Sequence, residues 1–250
     1  MTAKSTPKRL DALLVERGLA ESIAKAQAMI LAGEVSVDAA RADKAGTLFP
    51  PQVQIEISSR TGKFVSRGGL KLDGALEDFA IDPSGRICMD VGASTGGFTD
   101  CLLQRGAARV YSVDVNLDQL AWKLRKDPRV LRVIRNARDL RTGDIPEPID
   151  LLAFDVSFIS VSKVLPGALA VAKAGADLLI LVKPQFELPR EDVGPGGIVS
   201  SPALHDKAVA AVRDAASHLG LEVRGTRHSR LTGAEGNQEY FLHARKKSME

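Results

Sequence analysis

The stretch at residues 87–99 constrains the fold of this chain more than any other. Its sequence, Ile-Cys-Met-Asp-Val-Gly-Ala-Ser-Thr-Gly-Gly-Phe-Thr, is an apolar run that opens into a loop of small residues. Gly92, Gly96 and Gly97 have no Cβ, so the loop can adopt positive φ angles and let a ligand approach its peptide groups. Helical spacing follows over residues 98–104. The pattern predicts a strand, a ligand-binding turn and a helix.

Further along the chain, short apolar runs alternate with helical stretches. Strands are predicted at residues 87–91, 109–115, 150–155 and 178–182, and helices at 162–173 and 203–219. The last strand is almost wholly apolar, as is typical of a central parallel strand. This alternation predicts an α/β fold, a doubly wound, Rossmann-like sheet whose ligands bind at the carboxyl ends of its strands. Asp90, Asp114 and Asp155 fall at those ends.

The loop sequence distinguishes between two classes of cofactor. A dinucleotide fingerprint requires Gly-x-Gly-x-x-Gly in this turn, but Ser94 stands at the second glycine position, which disfavours a pyrophosphate. An acid before the loop suits S-adenosylmethionine, because that cofactor carries an ammonium and a sulfonium group. We expect Asp114 to accept the ribose hydroxyls and Asp139 the adenine amino group, although each acid could instead be a helix cap or turn former. The predicted cofactor-binding residues are Asp90, Gly92, Ala93, Ser94, Gly96, Gly97, Phe98, Asp114 and Asp139.

The first quarter of the chain has a pattern of its own. Residues 1–67 contain ten Lys or Arg against seven Asp or Glu, whereas the rest of the chain contains 24 of each. Helical spacing predicts two short helices that end near Gly18 and Gly33, and alternation predicts strands at 34–37 and 53–57. A small basic α+β module beside a neutral domain indicates polyanion binding, although an excess of three charges is also within ordinary variation.

The whole sequence predicts a two-domain protein. The small domain is expected at residues 1–59, a linker at 60–67, the α/β domain at 68–246 and a tail at 247–250. Cys88 and Cys101 lack zinc or thioredoxin spacing, so free buried thiols and no metal site are expected. No window approaches the roughly 18 apolar residues of a membrane span, and no apolar signal core follows the polar start. A cytoplasmic location is therefore predicted.

Two resemblances sharpen these predictions. The run Arg9-Leu-Asp through Ala26, followed by Gly33-Glu-Val-Ser-Val, resembles the RNA-binding domain named after small-subunit ribosomal protein four. That resemblance implies RNA as the partner, although any basic helical hairpin could look similar, and the segment has no aromatic platform for stacking bases. The RNA-binding residues it suggests are Lys8, Arg9, Lys25, Arg41, Lys44 and Arg67.

The second resemblance covers nearly the whole chain. The glycine-loop motif, Ser-Arg-Gly-Gly-Leu-Lys at 66–71, Phe-Asp-Val-Ser-Phe-Ile-Ser at 154–160 and Leu-Val-Lys-Pro-Gln-Phe-Glu at 181–187 are similar to the TlyA (hemolysin A) family. The similarity implies an RNA 2′-O-methyltransferase with an FtsJ-like catalytic domain, acting on ribosomal RNA with cytidine as the target nucleoside. It also implies a Lys-Asp-Lys-Glu tetrad at Lys71, Asp155, Lys183 and Glu239.

The chemistry requires such a set of residues in its own right. A ribose 2′-hydroxyl is a weak nucleophile, so methyl transfer needs a positioned base and accurate alignment. Lys183 follows the most apolar strand, where burial disfavours the charged amine, and is expected to be the base or the group that orients the hydroxyl. Asp155 and Glu239 are expected to orient Lys183 and the hydroxyl, and Lys71 to neutralise a phosphate or hold the ribose. Alternatively, these residues form ordinary ion pairs, a possibility that stays open for Lys71.

Two further stretches leave alternatives open. Residues 123–141 hold eight Lys or Arg against two Asp and could extend an RNA-binding track or form a solvated connector. Residues 185–198 are rich in Pro, Gly and acids, which is typical of a mobile loop that closes over substrate. The rival function is a non-catalytic RNA-binding protein or a hemolysin-like membrane-active protein.

Overall fold

The computed structural model describes residues 6–31, 33, 35–38, 40–57 and 63–248. The chain divides into two units, Met1–Lys63 and Phe64–Glu250. The expected fold class, a small α+β domain followed by an α/β domain, is confirmed. Across the described residues, no helix is long and apolar enough to cross a lipid bilayer.

The first unit packs two helices against short antiparallel strands. Its apolar residues recur at helical spacing and meet in one small core, which includes Leu10, Leu14, Ala26, Ile30 and Val35. The strands form one pair, β1 with β4, and one three-stranded sheet in the order β3-β2-β5. The elements are β1 (Lys8–Arg9), α1 (Leu10–Glu16), α2 (Ile23–Leu31), β2 (Val35–Val37), β3 (Ala40–Arg41), β4 (Leu48–Phe49) and β5 (Ile55–Ile57).

The second unit is built on a seven-stranded sheet. Its strand order is β11-β12-β10-β9-β6-β7-β8. Strand β12 is antiparallel to both of its neighbours, β10 and β11, and the other neighbouring strands pair in parallel. The elements are α3 (Gly68–Asp78), β6 (Ile87–Val91), α4 (Gly97–Gln104), β7 (Arg109–Asp114), α5 (Trp122–Lys126), β8 (Val130–Ile134), β9 (Ile149–Phe154), α6 (Leu165–Leu169), β10 (Ala172–Val182), α7 (Pro184–Glu187), α8 (Pro202–His218), β11 (Leu221–His228) and β12 (Tyr240–Lys246).

Two apolar cores lie on opposite faces of this sheet, because side chains alternate along each strand. On one face, Met89 and Leu152 pack with Val212 of α8. On the other, Cys88 and Leu151 pack with Leu72 of α3. Cys88 and Cys101 are buried and form no disulfide, as predicted, and burial raises the pKa of Cys88 to about 12. The helices thus cover both faces and leave the carboxyl ends of the parallel strands for the functional site.

Some predicted boundaries were wrong. The expected helix at 162–173 is a 3₁₀ turn (Val161–Lys163) and the short helix α6, and residues 172–173 already belong to β10. Strand β10 begins early because Ala172 already pairs with β9. The pairing register then shifts between Ala172 and Asp177, a segment in which Gly175 has a φ of +79°. The expected connector at 123–141 contains edge strand β8, whose apolar residues are interrupted by Arg132.

The predicted linker at 60–67 also needs correction at its carboxyl end. Residues 58–62 lie outside the described part of the chain. Phe64, by contrast, is only 2% exposed and belongs to the core of the second unit. Gly69 makes room for it, because a Cβ at that position would lie 2.5 Å from the Phe64 side chain. The folded part of the second unit therefore begins at Phe64 rather than at residue 68.

Candidate active site

The sheet brings together the four residues of the expected tetrad. Asp155 follows β9 and Lys183 follows β10, both at the carboxyl ends of parallel strands, as predicted. Glu239 precedes β12, and the antiparallel pairing of Val182 with Tyr240 puts Lys183 and Glu239 at the next opposed positions. Lys71 comes from helix α3. The start of this helix lies close to Asp155, because a Cβ atom added to its first residue, Gly68, would lie 3.7 Å from Asp155 Oδ2.

Lys183 is held by two oxygens from the turn after β9. Its Nζ lies 2.6 Å from Asp155 Oδ1 and 2.8 Å from Ser157 Oγ. The Lys183 side chain is 9% exposed, whereas that of Asp155 is 23% exposed. The amine is therefore largely shielded from water, whereas the carboxylate beside it is partly open to solvent. Sequence reasoning did not single out Ser157.

Lys71 and Glu239 form a second, more deeply buried pair. The Lys71 Nζ contacts Glu239 Oε2, and the two residues are 6% and 2% exposed. We expected Glu239 to orient Lys183, but Glu239 is bonded to Lys71 instead. The expected role of Lys71, to neutralise a phosphate or hold the ribose, stays a prediction, and in this structure its charge is balanced by the Glu239 carboxylate. The physical reason is burial, since a buried charge needs a partner at contact distance.

The glycines of the loop after β6 leave room for neighbouring protein atoms. Gly92 and Gly96 have φ angles of +89° and +93°, as expected. A Cβ on Gly92 would lie 2.6 Å from the carbonyl oxygen of Asp155, and one on Gly96 would lie 2.3 Å from the Leu124 side chain. Gly97 does not have a positive φ and begins α4. Its missing Cβ leaves space for Ser66 and the first turn of α3, so packing of the protein itself accounts for these glycines.

Several groups expected to contact the cofactor are occupied within the protein. The backbone amides of Gly92 and Ala93 donate to the carbonyl of Val113, and the amide of Ser94 donates to Asp114 Oδ2 at 2.9 Å. The Phe98 ring is 2% exposed and stacks on Phe241 at 6.2 Å between ring centroids. The Phe98 side chain is therefore a core group, not a ligand contact.

Asp90 keeps an unused acceptor beneath the loop. Its Oδ2 accepts hydrogen bonds from the Thr99 amide at 2.8 Å and from the Thr99 hydroxyl at 2.7 Å. Its Oδ1 is buried without a partner among the residues that the structure describes. Burial raises the pKa of Asp90 to about 7, against the opposing effect of the Thr99 hydrogen bonds. A buried carboxyl with a spare oxygen suits a cationic ligand, because a nearby positive charge stabilises its ionised form.

Asp114 ends β7 beside two exposed apolar residues. It pairs in register with Ile134 at the end of β8. Ile134 and the next residue after Asp114, Val115, are 68% and 66% exposed. Asp139 is exposed on a 3₁₀ turn shortly after β8. Acceptors for hydroxyl and amino groups beside exposed apolar side chains fit a nucleoside, and Ile134 was missed because β8 was not predicted.

A groove of about 510 Å³ is lined by residues of the turn after β9 and of helix α7, which directly follows Lys183. Phe158 on its rim is 91% exposed and has a φ of +64°. Its ring lies 5.3 Å from that of Phe186, and Lys183 Nζ is 6.0 Å from the Phe186 centroid. Glu187 accepts hydrogen bonds from the Ser160 hydroxyl at 2.6 Å and the Val161 amide at 2.8 Å. These bonds tie the start of the expected mobile loop to the opposite wall of the groove.

The basic residues expected to bind RNA differ in their surroundings. Lys25 and Lys44 are exposed, and Lys8 pairs with Glu16 at 2.7 Å. Arg9 donates two hydrogen bonds to Asp11, and this arginine holds the pKa of the Asp11 carboxyl down at about 2. Arg67 belongs to the second unit and donates to the carbonyl of Thr232. The side chain of Arg41 lies outside the described residues.

Comparisons with known proteins agree with this architecture. Residues 64–246 match the FtsJ-like methyltransferases and residues 8–55 match the S4 domain. A relative from Mycobacterium tuberculosis, the 16S/23S rRNA (cytidine-2′-O)-methyltransferase TlyA, is 48% identical over 236 residues, 94% of this chain and 88% of the relative. Hemolysin A from Brachyspira hyodysenteriae is 38% identical, covering 94% of this chain and 98% of the relative. A solved structure from Streptococcus thermophilus, described as a hemolysin, has a TM-score of 0.76 and 38% identity, covering 97% of this chain and 89% of that one.

Proposed function

Since the chain belongs to the TlyA family, whose catalytic unit is an FtsJ-like methyltransferase, we propose that it methylates the ribose 2′-hydroxyl of a cytidine in ribosomal RNA. The methyl donor is S-adenosylmethionine. The observation that supports the reaction best is Lys183, a shielded amine bonded to Asp155 and Ser157, whose Nζ lies 6.0 Å from the centroid of Phe186 in the groove wall.

The residues around the loop fit the cofactor. Asp114 accepts from the Ser94 amide at 2.9 Å and from the Asn116 amide at 3.3 Å, and each carboxylate oxygen has further acceptor capacity with which it would hold the ribose hydroxyls. Asp139 would accept from the adenine amino group, and Val115 and Ile134 would contact the adenine ring. The Oδ1 of Asp90, unpaired among the described residues, would favour binding of the cationic methionine end of S-adenosylmethionine. When bound, S-adenosylmethionine supplies an electrophilic methyl group on its sulfonium.

Lys183 would take the proton of the ribose hydroxyl. A neutral amine at this position accepts the proton on Nζ, and Asp155 at 2.6 Å stabilises the ammonium that results. Shielding from water strengthens this electrostatic interaction. Lys71 and Glu239 would keep α3 and the start of β12 at the distance that this arrangement needs. A shielded lysine between two oxygen acceptors favours catalysis over a purely RNA-binding protein.

The first unit would recruit the substrate. The S4 match at residues 8–55 and exposed Lys25 and Lys44 support contacts with RNA phosphates, which dominate affinity for nucleic acids. Ribosomal RNA as substrate also implies action in the cytoplasm, where ribosomes lie.

Methyl transfer followed by nucleoside analysis tests this function. Purified protein is incubated with methyl-labelled S-adenosylmethionine and with small or large ribosomal subunits, and the RNA is then digested to nucleosides. The expected label is in 2′-O-methylcytidine. Label in a base-methylated nucleoside, or in another 2′-O-methyl nucleoside, would contradict the proposal.

A further inference from the structure

We propose that Ser157 is a positioning residue that fixes the direction of the Lys183 lone pair. The proposal rests on the proposed function, because it assigns Lys183 the role of base. It is carried by one arrangement, in which Lys183 Nζ lies 2.6 Å from Asp155 Oδ1 and 2.8 Å from Ser157 Oγ. Both acceptors come from the same short turn after β9, two residues apart.

The stereochemistry of a primary amine gives these two contacts their meaning. A neutral amine has two N–H bonds and one lone pair in a tetrahedral arrangement. When Asp155 accepts one N–H and Ser157 the other, the lone pair has only one direction left. With a single acceptor, rotation about the Cε–Nζ bond could place the lone pair at either of the two remaining tetrahedral positions. Two acceptors therefore convert a flexible lysine tip into an aligned base, and such alignment has a large effect on rate.

The chemical type of the second acceptor also matters. A second carboxylate near Nζ would stabilise the ammonium and oppose the neutral form that takes a proton. A serine hydroxyl is uncharged and accepts a hydrogen bond with a much smaller preference for the charged amine. Asp155 provides the charge needed after proton transfer, and Ser157 provides direction with little added charge stabilisation.

The backbone of the turn holds Ser157 in place. The Asp155 amide donates to the carbonyl of Val91 at 2.9 Å, which anchors the turn to β6. At the other end the Val161 amide donates to Glu187 at 2.8 Å. Between these anchors Phe158 has a φ of +64°, a conformation that is unfavourable for a non-glycine residue. Strain of this kind persists where the surroundings impose it, and here it follows directly after Ser157.

Steady-state kinetics of two substitutions test the proposal. Ser157→Ala should lower kcat by about 10-fold to 100-fold, while KM for ribosomal subunits changes by less than about twofold. Ser157→Thr restores the hydroxyl and should bring kcat back to within about threefold of wild type. Ser217→Ala is the matched control, since Ser217 is an exposed serine on α8 whose hydroxyl donates to the Arg213 carbonyl at 2.9 Å. It should leave both constants unchanged.

A second readout separates this proposal from the proposed function. Competitive labelling of lysines with acetic anhydride, followed by peptide mass spectrometry, reports the reactivity of Lys183 without any RNA. In Ser157→Ala the amine loses one of its two acceptors, so Lys183 should be labelled at least about twofold faster, with Lys173 as the internal reference. Unchanged labelling, an unchanged kcat, a rise in KM alone or failure of Ser157→Thr to rescue would each overturn the proposal. A wrong product nucleoside would instead count against the proposed function.

Discussion

Among single residues, the two buried lysines of the site have different surroundings. Lys71 and Glu239 are closed off from solvent on both sides of their contact, with side-chain exposures of 8% and 3%. Lys183 is equally shielded, but its partner Asp155 is 23% exposed. The Lys71–Glu239 pair is shielded on both sides, so its charges depend on each other for compensation. The Lys183–Asp155 pair keeps a carboxylate that is partly open to solvent.

Substitution of Lys71 should therefore destabilise the fold before anything else. Lys71→Met leaves Glu239 buried without its partner and should lower the free energy of unfolding by about 3–5 kcal/mol. The double variant Lys71→Met/Glu239→Leu removes both charges and should recover most of that loss. Urea unfolding monitored by circular dichroism measures both values. A single variant as stable as wild type would show that the pair does not hold this part of the fold.

Asp90 should make stability depend on pH. Its pKa is raised from 3.8 to about 7 by burial, so the folded protein keeps a proton that the unfolded chain releases. The contribution of the neutral carboxyl to stability is complete below pH 3.8 and is lost as pH rises through 7. Asp90→Asn lacks this titration. Between pH 5 and pH 8, wild type should lose about 3 kcal/mol relative to the variant in urea unfolding, and parallel pH curves would contradict the assignment.

At the scale of elements, the glycine loop is shaped by the helices that pack on it. Gly97 lies against the first turn of α3, and Gly96 faces Leu120 and Leu124 around α5. The other face of α5 is exposed, with Trp122 67% accessible and Lys126 Nζ 4.4 Å from the centre of its ring. Helix α5 thus covers the loop on one side and turns an aromatic, basic surface to solvent on the other. That surface keeps both alternatives open, an RNA-binding track or a solvated face.

Two glycine substitutions separate backbone strain from this packing. Gly96→Ala and Gly143→Ala impose similar strain, because the two glycines have φ angles of +93° and +97°. Only Gly96 would also bring a Cβ to 2.3 Å from Leu124, whereas nothing lies within 4 Å of a Cβ at Gly143. Gly143→Ala should cost about 1–2 kcal/mol, and Gly96→Ala about 1–3 kcal/mol more. Unfolding measurements give the difference, and equal losses would show that α5 does not constrain the loop.

For the whole molecule, the local sequence pattern predicted the architecture, but it did not predict the elements and residue pairs that depend on long-range contacts. Strand β6, its loop and α4 were predicted correctly because period, glycine positions and helical spacing all lie within one short stretch. Strand β8 was missed because an edge strand tolerates charged residues such as Arg132, which weaken the apolar signal. Strand β12 was missed too, although Asp155 and Lys183 could be placed from the strands that precede them.

The pairing within the tetrad could not be derived from spacing. Glu239 lies 168 residues from Lys71 along the chain, and only the folded structure shows that α3 brings Lys71 to it. The family resemblance predicted which four residues form the tetrad, and the structure shows how they pair, Lys71 with Glu239 and Lys183 with Asp155. The roles of the loop glycines could not be predicted from the sequence either. Gly92 leaves space for the Asp155 carbonyl and Gly96 for the Leu124 side chain, and these neighbours are distant in sequence or belong to another element.

The most direct test of the central claim, that Lys183 is the group on which methyl transfer depends, is single-turnover transfer of labelled methyl to ribosomal subunits by Lys183→Ala. The control is Lys173→Ala, since Lys173 lies on the same strand β10 but is exposed and pairs with Asp150 at 2.8 Å. Lys173→Ala should react at the wild-type rate. Lys183→Ala should react about 100-fold to 10,000-fold more slowly than wild type, and its affinity for the cofactor should be nearly unchanged. Transfer by Lys183→Ala at the wild-type rate would contradict the account.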